Sequence, residues 1–243
     1  MILKLRDLKL LKSRADLEKI PPGKVLINTI NAHSFNTAQH DQLFADSLAK
    51  CDVLLPDGVS ILMACKWLAI KDGPEQRSPG WDLFETEMNR LNATGGKVMF
   101  MGSSEHVLGL IKQNAAKDYP NIEVFSYSPP YKPEFSDEDN AAIIKAINDV
   151  DPDLLWIGMT APKQEKWIYS HWNELNIHCH AGSIGAVFDF YAGTSPRAPF
   201  SWQKLGLEWL YRLLLNPRRM WRRYVIGNPL FLWNITKEKF NWE

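Results

Sequence analysis

The segment CDVLLPDGVS, residues 51 to 60, places a carboxylate where an apolar strand gives way to a second apolar segment with the pattern of a helix. These residue types allow two interpretations of Asp57. In the first, Pro-Asp-Gly is a turn and the carboxylate caps the helix that follows. In the second, the carboxylate lies at a strand end and accepts a proton, and Gly58 leaves room for a ligand beside it. Turn chemistry is compatible with both.

Two polar residues, Thr29 and Asn31, come directly after the first apolar strand, in INTINAHS. Side chains of these types often make local hydrogen bonds to the backbone in Asx and ST turns, which is the more common outcome. A hydroxyl and an amide two residues apart also supply the donors and acceptors that sugar hydroxyls require. Both interpretations stay open.

Arg77 and Gln164 are the next candidates. Arg77 lies in a polar loop, EQRSPGWD, where it is either solvated or a phosphate ligand, because its guanidinium group matches phosphate oxygens. Gln164 lies in APKQEKWI, in the first turn of a predicted helix that begins near Pro162. The backbone N–H groups of such a turn attract anions, and Gln164 could face a ligand.

Motifs for metals and dinucleotides are weak. Asp151-Pro152-Asp153 resembles the DXD motif of sugar-nucleotide enzymes, but it precedes a strand and would lie at the wrong sheet edge. His178 and His180 would share one face of a strand, and no further Cys or His cluster completes a site. The stretch MGSSEHVLG has no GxGxxG pattern. We therefore expect no metal site and no nicotinamide cofactor.

Short apolar runs alternate with helical patterns along most of the chain, which predicts an α/β fold with a mostly parallel sheet covered on both faces. The carboxyl ends of the strands then share one edge, where ligands bind in open α/β sheets, and Thr29, Asp57, Gly102 and Gly158 should meet there. Predicted strands are 25–30, 52–56, 97–102, 122–127, 154–159 and 177–182. Predicted helices run from an N-cap at Asn36-Thr37 to about Lys50, over 59–70, from 105, over 137–149 and from 162.

The two ends of the chain differ from its middle. The whole chain is neutral, with 28 basic and 28 acidic residues, but residues 1–24 carry a net charge of +4 and residues 197–224 a net charge of +6. We predict an α/β core over residues 1–196, with residues 1–24 as a basic lead-in, and a helical appendage over 197–243. The appendage has no strand pattern before its last stretch, and its helix should stop before Pro217 and restart as PRRMWRRYV.

The appendage combines Trp, Leu and Arg, which allows three interpretations: a nucleic-acid surface, a pair of core helices or an interfacial amphipathic segment. The neutral total disfavours nucleic acid, and a core pair does not explain the arginines, so we expect contact with an anionic membrane surface. The chain has no signal-peptide pattern and no apolar run of about 18 residues, so membrane contact should be peripheral. Three scattered cysteines fit a cytoplasmic location.

Eight segments between about residue 25 and residue 224 resemble, in order, the WecG/TagA/CpsF family, glycosyltransferase family 26. They are INTIN, CDVLLPDGVS, QRSPGWD, VMFMGSS, YPNIEV, DPDLLWIGMTAPKQEKWI, GSIGAVFDFYAGTSPRAP and GLEWLYRLLLNPRRMWRRY. The resemblance implies a Rossmann-like fold of the GT-E type. It also implies inverting, metal-independent transfer of a hexose or N-acetylhexosamine-type sugar from a UDP-sugar to an undecaprenyl-diphosphate-linked glycan, on the inner face of the cytoplasmic membrane.

By motif position, the resemblance implies that Asp57 is the general base and that Arg77 lies near the diphosphate. The other residues implied to bind substrate are Thr29, Asn31, Gly58, Gly102, Gln164 and Asp189. The arginines implied to contact the diphosphate or the membrane are Arg212, Arg219 and Arg222. A homo-oligomer is compatible with the sequence. Two other functions stay open: a Rossmann-like nucleotide-binding module without transferase activity, and a non-catalytic membrane adaptor that uses the basic tail.

Overall fold

The computed structural model describes residues 1–242, which form a six-stranded parallel sheet covered by helices on both faces. The strands stand in the order β2-β1-β6-β5-β3-β4. They are β1 (Val25–Ile30), β2 (Val53–Pro56), β3 (Gly96–Gly102), β4 (Ile122–Tyr127), β5 (Leu154–Gly158) and β6 (His180–Ser183). The predicted α/β class and parallel sheet are therefore confirmed.

The sheet has no solvent-facing side, because alternate residues of each central strand enter different apolar layers. The helices of the core are α1 (Ala32–Ala38), α2 (Gln42–Ala49), α3 (Val59–Trp67), α4 (Gly80–Thr94), α5 (Glu105–Asp118), α6 (Asp137–Val150), α7 (Lys163–His171) and α8 (Ala186–Ala192). Val98 and Phe100 of β3 pack in one layer with α4, α5 and α8, whereas Met99 and Met101 pack in the other layer with α6 and α7. This two-sided burial explains why the strands read as continuous apolar runs.

Most predicted element bounds agree with the structure, with three corrections. The helix predicted over 59–70 ends three residues earlier, at Trp67. The helix predicted to begin at an Asn36-Thr37 cap is wrong, because Asn31 caps α1, and a second helix, α2, begins after Asp41, whose side chain accepts from Phe44 N–H at 3.0 Å. The last strand starts three residues later than predicted, at His180. At the starts of α1 and α2 a local polar side chain, rather than the apolar pattern, sets the boundary.

The C-terminal region is helical as far as Phe240. Within residues 1–242 four helices follow the core, α9 (Phe200–Lys204), α10 (Glu208–Leu215), α11 (Pro217–Trp221) and α12 (Gly227–Phe240), with a π-helical turn at Arg222–Ile226 before α12. The predicted break before Pro217 is confirmed. The final stretch, which the sequence left open to a strand, is part of α12.

Helix α12 joins the two ends of the chain. The Phe231 ring meets the Phe35 ring of α1 edge-on at 5.5 Å, and buried Glu238 accepts from the Leu5 N–H at 2.8 Å and the Arg6 N–H at 2.9 Å. Residues of α12 thus complete the apolar layer that the N-terminal leucines begin. The division of the chain at residue 197 stays a prediction. None of the helices within residues 1–242 has the length and apolar character that crossing a bilayer would require.

Candidate active site

A cavity of about 1420 Å³ opens at the carboxyl edge of the sheet, roofed by α10, α11 and the π-helical turn. Nine of the eleven candidate site residues line it, although they come from distant parts of the sequence. These nine are Thr29, Asn31, Asp57, Gly58, Arg77, Gln164, Asp189, Arg212 and Arg219. Gly102 and Arg222 are not part of its lining. The parallel topology brings the strand ends together, as expected for this fold class.

The Asp57 carboxylate does not cap α3. The residue at the N-cap is Gly58, with φ of +132°, and no side chain caps this helix. The Asp57 backbone N–H donates to the Ile30 carbonyl at 2.8 Å, which continues the β1–β2 pairing into the turn. Its carboxylate makes no hydrogen bond or ion pair with any residue from 1 to 242, so it is available to a ligand. The capping interpretation is wrong for this residue.

Burial raises the pKa of Asp57, and the nearby Glu208 carboxylate raises it further. Three guanidinium groups, those of Arg212, Arg223 and Arg77, act in the opposite direction. A carboxylate in this setting can accept a proton from a hydroxyl, while the surrounding cations can bind an anion.

The side-chain oxygen of Asn31 caps helix α1. Its Oδ1 accepts from the backbone N–H groups of His33 at 3.0 Å and Ser34 at 3.1 Å, which caps α1. The local-turn interpretation is therefore confirmed for Asn31. Its Nδ2 donates to no other residue described, so this end of the amide is left for a ligand. Thr29 lies beside it at the end of β1, where it pairs with Leu55 of β2.

Gln164 is held in place by two hydrogen bonds. Its Oε1 accepts from the Met159 N–H at 3.1 Å, and its Nε2 donates to Glu165 Oε1 at 2.8 Å. Gly185 permits this arrangement, because a Cβ at that position would approach Gln164 Oε1 to 2.7 Å. Gln164 therefore joins the turn after β5 to the turn after β6.

Glu165 also lines the cavity, and the sequence analysis did not single it out as a site residue. The side chain is 2% exposed, its Oε2 has no hydrogen-bond partner among the described residues, and burial raises its pKa to about 7. The hydrogen bond from Gln164 and the charge of Arg223 oppose this rise. Near neutral pH this carboxyl group therefore exchanges between its protonated and ionised forms.

Arg77 binds the helices that cover the cavity. Its guanidinium group forms an ion pair with Glu208 of α10 and donates to the Gln203 carbonyl at 2.7 Å. Arg197 approaches the same carboxylate, with its Nε 4.0 Å from Glu208 Oε1, and lies over the Trp81 ring. These contacts attach α9 and α10 to the core.

The π-helical turn changes which arginine faces the cavity. Arg222 is exposed with its guanidinium group over the Trp221 ring, whereas Arg223 lines the cavity and has a buried Nε without a hydrogen-bond partner in the described chain. Burial lowers the pKa of Arg223, and the Asp57 carboxylate opposes that shift. Single π-helical turns in helices frequently occur at functional sites. The i,i+4 spacing of Arg219 and Arg223 was the available signal for this residue.

His33 is a third residue that the sequence analysis missed, after Glu165 and Arg223. It lines the cavity after Asn31, and burial together with the charge of Arg223 lowers its pKa to about 4. The imidazole is therefore neutral at pH 7. It can exchange hydrogen bonds with a ligand without adding to the positive charge of the arginines.

Gly102 serves the packing of the sheet. Its φ is +115°, and a Cβ at this position would lie 2.4 Å from the Gly158 carbonyl oxygen of β5. Hydroxyl groups line the cavity around this strand end instead, at Ser103, Ser104 and Ser128. A close approach between β3 and β5 explains the glycine, and the serines supply neutral polar contacts.

The two candidate metal motifs have structural contacts. Asp153 Oδ2 accepts from the Lys97 N–H at 2.8 Å, and His180 is buried, with Nδ1 3.2 Å from Glu87 Oε1 and Nε2 2.9 Å from the Pro21 carbonyl. Across residues 1–242, no three His, Cys, Asp or Glu side chains come together as a set of metal ligands.

Comparison with known proteins gives matches over most of the chain. A family profile described as "Glycosyl transferase WecG/TagA/CpsF family" matches residues 8–243. An N-acetylglucosaminyldiphosphoundecaprenol N-acetyl-beta-D-mannosaminyltransferase of Bacillus subtilis (strain 168) is 29% identical over 217 residues, which cover 89% of this chain and 80% of that protein. The protein of the same description from Staphylococcus aureus (strain NCTC 8325 / PS 47) is also 29% identical over 217 residues, covering 89% of this chain and 82% of its own.

Proposed function

The chain belongs to the WecG/TagA/CpsF family of glycosyltransferases, and from this premise we propose that it transfers a sugar to a glycan linked to polyprenyl diphosphate. The two relatives described above are named for transfer of N-acetylmannosamine to N-acetylglucosaminyldiphosphoundecaprenol. For this chain we propose an acceptor of that chemical class. The donor we propose is a UDP-sugar that carries a hexose or an N-acetylhexosamine.

The observation that carries the proposal is the unpartnered Asp57 carboxylate, which faces a cavity lined by arginines. In the proposed reaction an acceptor hydroxyl attacks the anomeric carbon of the donor from the face opposite UDP. A C–O bond forms to the acceptor, the bond from the anomeric carbon to the diphosphate oxygen breaks, and the hydroxyl proton passes to Asp57. The configuration at the anomeric carbon is inverted.

The leaving diphosphate gains negative charge as its bond to the sugar breaks, and this charge must be stabilised. Arg212, Arg219 and Arg223 line the cavity and are candidates for this role. Arg77 reaches the same region but is paired with Glu208, so we assign it to holding α10 over the site. In the proposed complex, Thr29, Asn31 and Gln164 contact sugar hydroxyl groups.

Apolar side chains exposed on the C-terminal helices support a location on the surface of a membrane. Trp221 is 44% exposed, Val225 56% and Ile226 50%, and they lie in the same stretch as the exposed Arg218 and Arg222. Side chains of both kinds favour binding to a surface of anionic lipids. We propose that the chain acts there, on the cytoplasmic face, and that Arg222 contacts lipid.

The direct test incubates the purified protein with UDP-N-acetylmannosamine, UDP-N-acetylglucosamine or UDP-glucose and a prenyl-diphosphate-linked N-acetylglucosamine, and follows product mass. We expect one donor to give an acceptor heavier by one sugar residue and an equal amount of UDP. UDP release without a glycosylated acceptor, or stabilisation by NAD in place of UDP, would contradict the proposal.

A further inference from the structure

An apolar groove extends from the cavity between α3 and α12, and we call it the α3–α12 groove. Its floor consists of buried side chains, Ala64 of α3 and Phe231 and Ile235 of α12. Its rim consists of Met63 and Trp67 of α3 and Leu232 of α12, which are 65%, 44% and 59% exposed. Both helices therefore contribute apolar side chains with i, i+1 and i+4 spacing, which lie on one helix face.

The groove has a cationic inner end next to the cavity and apolar walls beyond it, because its two helices run in the same direction. Helix α3 begins beside Asp57, and α12 begins directly after the π-helical turn that carries Arg223. At the far end, Lys239 of α12 donates to the Trp67 carbonyl of α3 at 2.8 Å. Helix α3 has nine residues, so the groove extends about 13 Å away from the carboxylate at a rise of 1.5 Å per residue.

Such a groove fits a ligand with an anionic head and an apolar tail. Arg212, Arg219 and Arg223 lie at its inner end and complement a diphosphate, whereas the three rim side chains beyond them are apolar. Exposed apolar side chains that gather along one groove, rather than occur singly, indicate a binding surface. The charge at one end identifies which end of the ligand enters the cavity.

From this arrangement we infer that the α3–α12 groove binds the first isoprene units of a prenyl diphosphate. The inference rests on the proposed function, because it assigns a place to the acceptor's lipid chain. A prenyl chain in the groove brings its diphosphate to the arginine cluster that also faces the leaving diphosphate of the donor, so the cluster binds both groups. The sugar attached to the acceptor diphosphate is then directed towards Asp57. The groove is then part of acceptor recognition and is distinct from the exposed surface that we propose meets the membrane.

The test compares two soluble acceptors below their micellar concentrations, without detergent: N-acetylglucosamine diphosphate esterified with a farnesyl-length chain, and the same compound with a methyl ester. For the wild-type protein, we expect kcat/KM to be roughly tenfold or more higher with the prenyl acceptor, as expected from burying one or more apolar groups. Leu232→Glu should reduce this ratio to near one. The matched control is Leu230→Glu, on the same helix at an exposed leucine outside the cavity lining, and it should keep the wild-type ratio.

A wild-type ratio near one, or an equal loss of the ratio in Leu230→Glu and Leu232→Glu, would overturn the inference and leave the proposed transfer intact. Absence of product with every acceptor and donor would instead contradict the proposed function. In that case a farnesyl diphosphate with a diazirine at the end of its chain still tests the groove. Photolabelling of α3 or α12 peptides, abolished by unlabelled farnesyl diphosphate, supports the inference, and labelling confined to other helices refutes it.

Discussion

Two strand-to-helix turns on the same sheet edge each bring a carboxyl group to the cavity, with opposite results. The turn after β2 leaves the Asp57 carboxylate without a hydrogen bond, because Gly58 occupies the N-cap position of α3. The turn after β5 buries Glu165 and gives it a hydrogen bond from Gln164. A carboxyl group at the functional edge is therefore not equivalent to a reactive carboxylate.

The electrostatic settings of the two groups explain the difference. Burial raises the pKa of both, but three arginines oppose the rise at Asp57, and only Arg223 contributes an opposing charge at Glu165. A general base must be ionised and within reach of the hydroxyl that it deprotonates. Asp57 is better suited to that role, and Glu165 is better suited to orienting Gln164.

Replacing the Asp57 carboxylate should reduce activity more than any other change proposed for these two turns. Asp57→Asn removes the proton acceptor without changing the size of the side chain, so we expect kcat to fall by roughly a thousandfold. Glu165→Gln, the matched change at the other turn, should lower kcat by less than about tenfold, since the glutamine oxygen can still accept from Gln164. Initial rates with matched thermal unfolding curves provide the measurement. Equal losses in the two variants would contradict the assignment of the base.

Arg223 should have the next largest effect on activity, because its charge acts on both Asp57 and Glu165. Arg223→Ala should lower kcat by roughly a hundredfold, because it removes a buried positive charge that would stabilise the leaving diphosphate. Arg222→Ala is the control, since that side chain lies outside the cavity lining and should change kcat in detergent solution by less than about threefold. The reverse order of effects would assign the diphosphate to Arg222, which is one of the two contacts, diphosphate or membrane, that the sequence analysis gave for it.

Much of this edge could be predicted from sequence, because short apolar runs locate the strands and a parallel topology determines which strand ends meet. The order of the strands, the position of α12 and the phase of the π-helical turn depend on contacts between residues far apart in sequence, such as Phe35 with Phe231. For that reason Arg223 could not be distinguished from Arg222. Glu165 resembled an ordinary first-turn glutamate, because its burial depends on how the neighbouring turns pack.

The pH dependence of kcat/KM tests the assignment of Asp57 as the base through a smaller effect. Because the pKa of Asp57 is raised, the base is protonated over a wider acidic range than an exposed aspartate. We expect kcat/KM to fall about tenfold per pH unit on the acidic side, with an apparent pKa above the ordinary value of 3.8. Arg212→Gln, which removes one cation opposing this shift, should move the acidic limb to higher pH. If the acidic limb does not move in that variant, the limb does not report the ionisation of Asp57.

The last prediction concerns the free energy of unfolding, whose pH dependence tests the ionisation of Glu165. Its pKa in the folded protein is about 7 against an ordinary 4.5, so the folded state retains a proton that the unfolded state releases. The stability that depends on this proton is complete below pH 4.5 and is lost as the pH rises to about 7. The total loss is on the order of 3 kcal/mol. Glu165→Gln has no such proton to lose. The difference in free energy of unfolding between the variant and the wild type should therefore change in favour of the variant from pH 4.5 to about 7, and stay constant at higher pH.

Urea unfolding at several pH values measures this difference, and groups that titrate alike in both proteins cancel in it. The buried oxygen of Glu165 without a partner becomes an amide nitrogen in the variant, which changes the offset between the two curves but not their relative slope. Parallel curves between pH 4.5 and 7 would show that Glu165 ionises as an exposed glutamate does. The contrast between the two turns would then lie in hydrogen bonding alone.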